Sequence, residues 1–412
     1  MAAQKNKTGQ KSYLVVGLMS GTSLDGLDVV LSHFELKKGK WSGKLISGET
    51  IPYNRKMREW LVGLEGASAR ELAKADADFG KYMGKEVRKW LLKNNKTVKL
   101  IGEKVGQNRP GIDFIASHGH TLFHEPSKGY TYQLGSGAAL AAEIEFPVVC
   151  DFRSGDVALK GQGAPLVPIG DKLLFHDYVA CLNLGGFANV SFDKHGKRIA
   201  FDICPVNIVL NELAQRLGKP FDKGGKMAQN GFVNKGLLEQ LNKLKFYQAP
   251  GPKSLGKEWV EQVIWPILEG GRQGGKEVRK EERRNRGRVR GMYWPGIGPK
   301  VEGREEIGEV GISTEDLLAT FVEHIAFQIA RALPKARGEV LITGGGAFNT
   351  YLMDKIKTFS KRQIALPEPN VIAFKEGYVF GFLGALRWEE QINCLSSVTG
   401  ALKDNIGGAI YL

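Results

Sequence analysis

Residues 17–26 read GLMSGTSLDG and lie between two apolar runs, YLVV at 13–16 and LDVVL at 27–31. Apolar runs separated by a short, glycine-containing segment predict two strands joined by a tight loop. The loop is small, polar and almost free of bulky side chains, so its backbone amides are accessible to a ligand. The sequence of this loop alone is compatible with a simple hairpin turn and with a binding loop.

Two further glycine loops follow strand-like runs, LGGFANVS at 184–191 and TGGGAFN at 343–349. Between the loops, strand-like clusters alternate with helical patterns, as at 54–94 and 314–333, which indicates an α/β architecture. Neither the Walker A spacing nor GxGxxG is present, so P-loop and Rossmann readings fail. Backbone amides in strand-ending glycine loops can approach phosphate. We therefore expect two halves that close on a nucleotide, although no internal sequence repeat is visible.

The composition is that of an ordinary globular protein with a local excess of positive charge. The chain has 412 residues, 42% hydrophobic and 25% charged, and a formal net charge of +14. Its length predicts two or more domains, and the absence of a long apolar run predicts no membrane span or secretion signal. Residues 271–290 hold nine Lys or Arg and three Glu without aromatic residues. A nucleic-acid strip would favour interleaved aromatics, so no nucleic-acid partner is expected.

The four cysteines, at 150, 181, 204 and 394, are widely spaced and form no CxxC or Cys/His pattern. Such spacing favours free thiols over a disulfide or zinc framework. A reducing, cytoplasmic location is therefore expected.

Six motifs occur in one order along the chain and together carry a family resemblance. They are LMSGTSLDGLD, SHGHT, DFRSGDVALKGQGAPLVP, NLGGFANVS, GPKSLGKEW and TGGGAFN. In this set the chain resembles the anhydro-N-acetylmuramic acid kinases of peptidoglycan recycling, in the actin/hexokinase/Hsp70 superfamily. The resemblance covers almost the whole chain from Val15 to about Ile410, except the basic segment.

The resemblance implies a two-lobed α/β, ribonuclease H-like fold with ATP in the cleft between the lobes. The expected first lobe is 1–150 plus 388–412, and the second is 151–387 with a surface insertion of little catalytic importance at about 271–308. The implied reaction opens a 1,6-anhydro sugar with water and phosphorylates O6 from ATP, giving N-acetylmuramic acid 6-phosphate and ADP. A homodimer is the implied assembly.

The resemblance assigns nucleotide contacts to the three glycine loops. The residues are Gly21, Thr22, Ser23, Leu24, Asp25, Gly26, Leu27 and Asp28, then Gly185, Gly186 and Asn189, then Gly344, Gly345, Gly346 and Asn349. Mg²⁺ is expected beside the ATP phosphates, held through water by Asp25. Asp25 and Gly26 are also a favourable turn pair, so a structural role for Asp25 stays open.

The catalytic base implied by the resemblance is Asp202, in AFDICPVN. A carboxylate that reaches the attacking water can serve as its base, whereas the alternative is a helix-capping aspartate. The chain departs from the family pattern nearby and in the GQGAPL motif. Cys204, Val206 and Lys160 stand where glycines are common, and Asn211 stands where an acidic residue is common.

Sugar contacts are expected from six side chains, namely Glu376, His118, Arg153, Asp151, Gln133 and Lys253. For Glu376 the alternative is a residue that complements a helix dipole. Asp151 and Arg153 could equally form a structural ion pair, and Lys253 could lie on a solvated surface. His118 and His120 lack a third ligand at zinc spacing, so a sugar contact is preferred for His118.

Two other functions remain open from the sequence. One is a kinase for a different anhydro sugar, such as levoglucosan. The other is a catalytically inactive nucleotide-binding regulator whose basic segment binds an acidic partner. The retained Asp202, Glu376 and phosphate loops argue against the inactive regulator.

Overall fold

The structure is a computed structural model that describes residues 10–94, 98, 111–249, 251–270 and 312–412. The basic segment at 271–308 lies outside the described residues. The strands are β1 (Lys11–Ser20), β2 (Gly26–Lys37), β3 (Lys40–Pro52), β4 (Phe114–Glu125), β5 (Tyr130–Leu134), β6 (Val148–Cys150), β7 (Ala180–Leu184), β8 (Phe187–Lys194), β9 (Lys197–Pro205), β10 (Val340–Thr343), β11 (Ile364–Ala365) and β12 (Ala409–Tyr411).

Helices connect and cover these strands. The described helices are α1 (Arg55–Gly63), α2 (Ala69–Lys93), α3 (Gly137–Ile144), α4 (Ser154–Ala158), α5 (Val167–Leu174), α6 (Asn207–Arg216), α7 (Lys226–Asn230), α8 (Lys235–Asn242), α9 (Lys245–Gln248), α10 (Lys257–Trp259), α11 (Thr314–Ala332), α12 (Thr350–Ser360), α13 (Pro369–Trp388) and α14 (Ser396–Thr399). Among the described residues, no helix is both long enough and apolar enough to span a membrane.

The strands form two sheets with the same core topology. In the first sheet, β1, β2 and β3 are antiparallel neighbours, and β4 and β6 continue parallel to β1, with β5 and β12 added at the margins. In the second sheet, β7, β8 and β9 are antiparallel, and β10 and β11 continue parallel to β7. The predicted two-lobed α/β architecture is confirmed, and the chain contains one strand order twice.

The first strand is buried on both faces because apolar residues fill the consecutive positions 13–16 and position 18. Leu14, Val16 and Leu18 contribute to one hydrophobic cluster, and Tyr13 and Val15 contribute to the cluster on the opposite face. Successive side chains of a strand point to opposite faces, so the continuous apolar run predicts a central strand. The first sheet is accordingly covered by helices on both sides.

The helical pattern predicted at 54–94 corresponds to two helices. Asn54 caps α1 by accepting a hydrogen bond from the Met57 amide. Ser68 begins α2 with a capping box, in which the Ser68 side chain accepts from the Glu71 amide and the Glu71 carboxylate accepts from the Ser68 amide. These side chains satisfy amides that the first helical turn leaves unpaired, which is why each helix begins at that residue.

Helix α13 packs on the first sheet, against β1, β2 and β4. A Cβ on Gly17 of β1 would lie 2.0 Å from the carbonyl oxygen of Gly377, so the glycines allow this helix to lie directly on the strand. Phe152 and Leu166 belong to the same hydrophobic cluster. Phe152, Leu166 and helix α13 thus pack with the first sheet, although the predicted boundaries at 150 and 388 assign them to the second lobe. The boundaries themselves stay a prediction.

Candidate active site

The first glycine loop, residues 21–25, joins β1 to β2 at the end of the first sheet. Leu24 has a left-handed φ of 59°, and its amide donates to the carbonyl oxygen of Gly21 at 3.2 Å. The side chains of Thr22, Ser23 and Asp25 are exposed. Among the described residues, these three side chains make no hydrogen bond, so two hydroxyls and one carboxylate are available to a ligand.

Gly26, Leu27 and Asp28, the last three residues assigned to the first nucleotide loop, lie in strand β2. Leu27 is fully buried in the core, and a Cβ on Gly26 would lie 2.4 Å from the carbonyl oxygen of Ile51. Gly26 and Leu27 therefore have structural roles, in strand packing and in the hydrophobic core. Asp28 accepts a hydrogen bond of 2.6 Å from Thr50 Oγ1, and burial, with a smaller contribution from Asp25, raises its pKa although the Thr50 bond opposes this.

The second loop, Gly185 and Gly186, joins β7 to β8 and caps helix α6 with backbone groups. The carbonyl oxygen of Gly186 accepts from the Val206 amide at 2.8 Å, and that of Gly185 accepts from the Asn207 amide at 3.3 Å. Val206 is the N-cap residue of α6 and forms no side-chain cap. The loop and the helix N-terminus are therefore one unit, in which Asn189 of β8 lies opposite Asn183 of β7.

The third loop, Gly344 to Gly346, follows β10 and touches the second loop. Gly344 has φ of 85°, and a Cβ there would lie 2.6 Å from Asn183 Oδ1 and 2.7 Å from the carbonyl carbon of Leu184. A Cβ on Gly346 would lie 2.8 Å from Leu184 Cβ. Glycine is required at these positions by the close approach of the two loops.

The side chain of Asn349, which was predicted to contact the nucleotide, caps helix α12. Its side chain is 9% exposed and accepts from the Leu352 amide at 3.0 Å as the N-cap of α12. The neighbouring loop at 222–226 was not predicted. Its residues Gly224 and Gly225 have φ of 69° and 74°, and the carbonyl oxygen of Gly224 accepts from Thr350 Oγ1 at 2.9 Å.

The signal for this fourth loop is the glycine pair in DKGGK, which follows a helix and so resembles a common helix terminator. The loop contributes no side chain that the sequence pattern alone would single out as a ligand.

Asp202 lies in β9 beside the second loop. The Cα partner of Asp202 is Asn189, and the register shifts there, so that Ile203 is an extra residue in β9. Such a β-bulge re-aims side chains and is frequent near active sites. Asp202 Oδ2 accepts from the Leu255 amide at 2.8 Å, and burial raises the pKa of the Asp202 carboxyl, an effect that this bond partly offsets. The N-cap of α6 is Val206, so the helix-capping alternative for Asp202 is wrong.

Two departures from the family pattern near Asp202 point into the core. Cys204 and Val206 are fully buried and belong to the hydrophobic cluster of the second sheet. Their side chains therefore leave the loop backbone in place. Lys160 adopts a left-handed φ of 67°, which explains why glycine is favoured at that position.

Lys253 does not present its ammonium group for the predicted sugar contact. Nζ donates to the carbonyl oxygens of Phe246 at 2.8 Å and Ala249 at 3.0 Å, and it lies 4.5 Å from the Phe246 ring centroid. The Lys253 carbonyl oxygen accepts from the Asp202 amide at 2.9 Å. Lys253 thus holds the segment that runs beside Asp202.

The charges of Glu376 and Arg153 act on each other at the first-sheet side of the site. Glu376 is exposed on helix α13, yet the surrounding protein raises its pKa by desolvation, which Arg153 opposes and Asp28 reinforces. An accessible carboxyl with restricted solvation is typical of a group that lines a concave site. Arg153 donates from Nη1 to the Gly163 carbonyl oxygen at 2.6 Å and from Nε to His118 Nε2 at 2.9 Å.

His118 is 4% exposed and is buried in contact with Arg153. Its second ring nitrogen, Nδ1, is 3.0 Å from the Gly119 carbonyl oxygen. Both nitrogens are therefore occupied within the protein, and the predicted direct sugar contact does not fit this position. The sequence could indicate a polar SHGHT loop but could not indicate which side of it would be buried.

Asp151 and Gln133 take up further positions near Arg153. Asp151 is exposed with φ of 56°, and its Oδ1 accepts from the Ser154 amide at 3.3 Å. No ion pair joins it to Arg153 in the part of the chain that the structure describes. Gln133 donates to Thr131 Oγ1 at 2.8 Å, and its buried Oε1 has no partner among the described residues.

A buried ion pair that the sequence did not indicate adjoins Glu376. Lys375 Nζ lies 2.7 Å from Asp171 Oδ1, with both side chains less than a tenth exposed. Asp171 also accepts from Ser191 Oγ of the second sheet at 2.5 Å. The pair raises the pKa of Lys375 against the effect of burial, and it links helix α13 to the second sheet.

No group of three or more His, Cys, Asp or Glu side chains within the described ranges is arranged to hold a metal ion. Mg²⁺ commonly uses only one or two carboxylates together with substrate phosphates and water. Asp25 is exposed without a hydrogen bond among the described residues, and its charge acts on Asp28. These two carboxylates fit a Mg²⁺ ion that is held mainly by nucleotide phosphates.

Comparison with known proteins decides the family. The family model described as "Anhydro-N-acetylmuramic acid kinase" matches residues 13–269 and 301–412. The chain belongs to the anhydro-N-acetylmuramic acid kinase family. The match leaves residues 270–300 uncovered, which is most of the basic segment.

Curated kinases of this family align along nearly the whole chain. The anhydro-N-acetylmuramic acid kinase of Pseudomonas paraeruginosa (strain DSM 24068 / PA7) is 34% identical, covering 96% of this chain and 98% of its own length. That of Pseudomonas savastanoi pv. phaseolicola (strain 1448A / Race 6) is 31% identical, covering 97% and 99%.

Among solved structures, the activator of the 2-hydroxyisocaproyl-CoA dehydratase from Clostridium difficile, with bound ADPNP, covers 92% of this kinase and 97% of its own chain. The TM-score is 0.35 at 12% identity, a likeness too low to carry an argument.

Proposed function

We propose that this kinase opens the 1,6-anhydro ring of anhydro-N-acetylmuramic acid with water and transfers the γ-phosphoryl group of ATP to O6. The products are N-acetylmuramic acid 6-phosphate and ADP, as peptidoglycan recycling requires. One observation carries the proposal. Asp202 lies directly across a hairpin from Asn189, next to the glycine loop that the third loop touches, which brings a candidate base beside two candidate phosphate loops.

Asp202 acts as the base. One of its oxygens, Oδ2, accepts the Leu255 amide, and among the described residues Oδ1 has no partner, so Oδ1 can accept a proton from water. The water oxygen forms a bond to C1 as the C1–O6 bond breaks. O6 then attacks the γ-phosphorus, and the bond to the ADP oxygen breaks. A raised pKa brings Asp202 closer to the working pH, which favours general-base catalysis.

The nucleotide phosphates lie between side-chain donors and backbone donors. Thr22 and Ser23 supply exposed hydroxyls, and the glycine loops at 185–186 and 344–346 supply backbone that no side chain obstructs. Asp25, with Asp28, would hold Mg²⁺ against the phosphates. The ion would neutralise charge that develops on the transferred group.

The sugar lies on the Glu376 and Arg153 side of the site. Glu376 is an accessible carboxyl whose desolvation strengthens any hydrogen bond that it makes to a hydroxyl. The expected location is the cytoplasm, which is consistent with four free, buried cysteines, and the expected assembly is a homodimer.

The proposal is tested by ADP release from purified protein with ATP and Mg²⁺, supplied in turn with anhydro-N-acetylmuramic acid, levoglucosan or no sugar. The expected result is ADP release that depends on anhydro-N-acetylmuramic acid, a sugar that carries a carboxylate, and that exceeds the release with levoglucosan. Faster release with levoglucosan would instead support a kinase of another anhydro sugar. Binding of ATP without release under any condition would support an inactive regulator.

A further inference from the structure

The ring of His118 is fixed in one tautomer. Nε2 is 2.9 Å from Arg153 Nε, and Nδ1 is 3.0 Å from the Gly119 carbonyl oxygen. Because a guanidinium nitrogen can only donate, Nε2 accepts, and the ring proton on Nδ1 is donated to Gly119. Burial and the adjacent Arg153 lower the pKa of His118 to about 3, so the ring is neutral at working pH.

Gly119 holds the other side of this ring in place. It has φ of 75°, and a Cβ there would lie 2.6 Å from the Leu134 carbonyl oxygen. A larger residue would force the strand apart, so the direction of the Gly119 carbonyl is set by backbone that only glycine can form. The SHGHT motif therefore fixes a neutral hydrogen-bond acceptor, His118 Nε2, inside the first sheet.

The guanidinium of Arg153 is held at two of its three nitrogens. Nε donates to His118, and Nη1 donates to the Gly163 carbonyl oxygen at 2.6 Å. The group also lies 5.8 Å from the Phe380 ring centroid. Within the described residues Nη2 has no hydrogen-bond partner, and the charge of Glu376 acts on the guanidinium. One donor edge is thus free, within electrostatic range of the accessible Glu376.

We propose that His118 is a positioning residue, which orients the guanidinium of Arg153 so that Nη2 receives the carboxylate of the acidic sugar beside Glu376. The inference rests on the proposed function, because it requires an acidic anhydro sugar. An arginine already held in one geometry loses less conformational entropy when it binds a carboxylate. Lys253 cannot substitute for it, because the Lys253 ammonium already donates to two carbonyl oxygens.

Two amide substitutions separate positioning from packing. The Oε1 of His118→Gln reaches the place of Nε2, whereas the Oδ1 of His118→Asn reaches only that of Nδ1. We expect His118→Asn to raise the KM for anhydro-N-acetylmuramic acid roughly tenfold or more, through loss of a bond to a charged group. The KM for ATP should not change, and His118→Gln should restore most of the sugar affinity. Equal KM values for the two variants would overturn the inference.

A double-mutant cycle with Arg153→Lys provides the second readout. If His118 acts through Arg153, the KM of the double variant with His118→Asn should be no higher than that of Arg153→Lys alone, whereas independent effects would multiply. Multiplying effects would contradict positioning. Thermal melting shows whether the two histidine variants fold. If both fail to fold, Arg153→Lys alone tests the inference, because an unchanged sugar KM in that variant would overturn it. An inactive wild type would instead contradict the proposed function itself.

Discussion

The two hairpins that begin the two sheets share a topology but present different chemistry. The first, between β1 and β2, has a five-residue connection with exposed Thr22, Ser23 and Asp25. The second, between β7 and β8, has only Gly185 and Gly186. The first connection is free of close neighbours at Gly21, where a Cβ would lie 3.6 Å from Ser23 Oγ, whereas the end of β7 that leads into the second connection is packed against Gly344 and Gly346.

A repeated strand order therefore does not require repeated chemistry. The first hairpin offers exposed hydroxyls and a carboxylate, and the second offers backbone that is bonded to a helix N-terminus and lies beside the third loop. The first hairpin can therefore contact a ligand through side chains, whereas the glycines of the second can do so only through backbone. Substitutions in the two hairpins should therefore fail in different ways.

The largest effect is expected beside the second hairpin, from Asp202→Asn. The amide retains an oxygen that can accept from Leu255, so folding and ATP binding should persist. Turnover should fall roughly 10²- to 10⁴-fold, because a general base is lost. Steady-state ADP release measures this, with Asp354→Asn as the control, since Asp354 is an exposed carboxylate with 75% of its side chain accessible. Near-normal turnover in folded Asp202→Asn would contradict the assignment.

A matched glycine pair tests the contrast in packing. Gly344→Ala places a methyl group 2.6 Å from Asn183 Oδ1 at a positive φ, so it should lower the free energy of unfolding by roughly 2–4 kcal/mol through overpacking and left-handed strain. Gly21→Ala meets no close atom and should change stability by less than about 0.5 kcal/mol. Denaturant unfolding compares the two, and equal losses would show that the third loop, which packs against the second hairpin, is no more tightly packed than the first hairpin.

A smaller effect is expected from Asp25→Asn in the first hairpin. Asp25 is exposed and without a hydrogen bond among the described residues, so stability should not change. If it holds Mg²⁺ through water, the Mg²⁺ concentration for half-maximal activity should rise roughly tenfold, as for other outer-shell contacts. A Mg²⁺ titration of ADP release checks this, and an unchanged midpoint would leave Asp25 with only its role in the turn.

The smallest effect concerns the pH dependence of stability. Burial raises the pKa of Asp202 in the folded protein, so its ionisation destabilises the fold as pH rises from the ordinary carboxyl range through the raised pKa. Asp202→Asn removes this penalty. The variant should gain stability relative to wild type with increasing pH and show no gain in acid, as urea unfolding at several pH values would measure. A gain in stability that occurs only at acid pH would contradict a raised pKa for Asp202.

Much of the fold follows from local patterns in the sequence. The apolar run of β1 predicts a strand buried on both faces, and Asn54 and Ser68 mark helix starts. The duplication of the strand order was missed, because two sheets need only apolar strands of suitable length and not similar residues. The packing of α13 on the first sheet was not foreseen, because it depends on the close approach of Gly17 and Gly377, which no local pattern reveals.

The candidate site was predicted in its residue types more than in their roles. The second and third glycine loops and Asp202 lie together because they follow or belong to neighbouring strands of the second sheet. Lys253 and His118 were expected to contact the sugar, yet one donates to backbone carbonyls and the other holds Arg153. Whether a polar side chain faces a ligand or its own protein is decided by tertiary contacts, which spacing along the chain does not encode.

The central claim is that ring opening and phosphoryl transfer occur in one site. Mass spectrometry of the product formed from ATP and anhydro-N-acetylmuramic acid, alongside quantified ADP, tests it most directly. We expect one sugar product that has gained both one water and one phosphoryl group, in an amount equal to the ADP released. A phosphorylated sugar that keeps its anhydro ring, or ADP release without a sugar product, would contradict it.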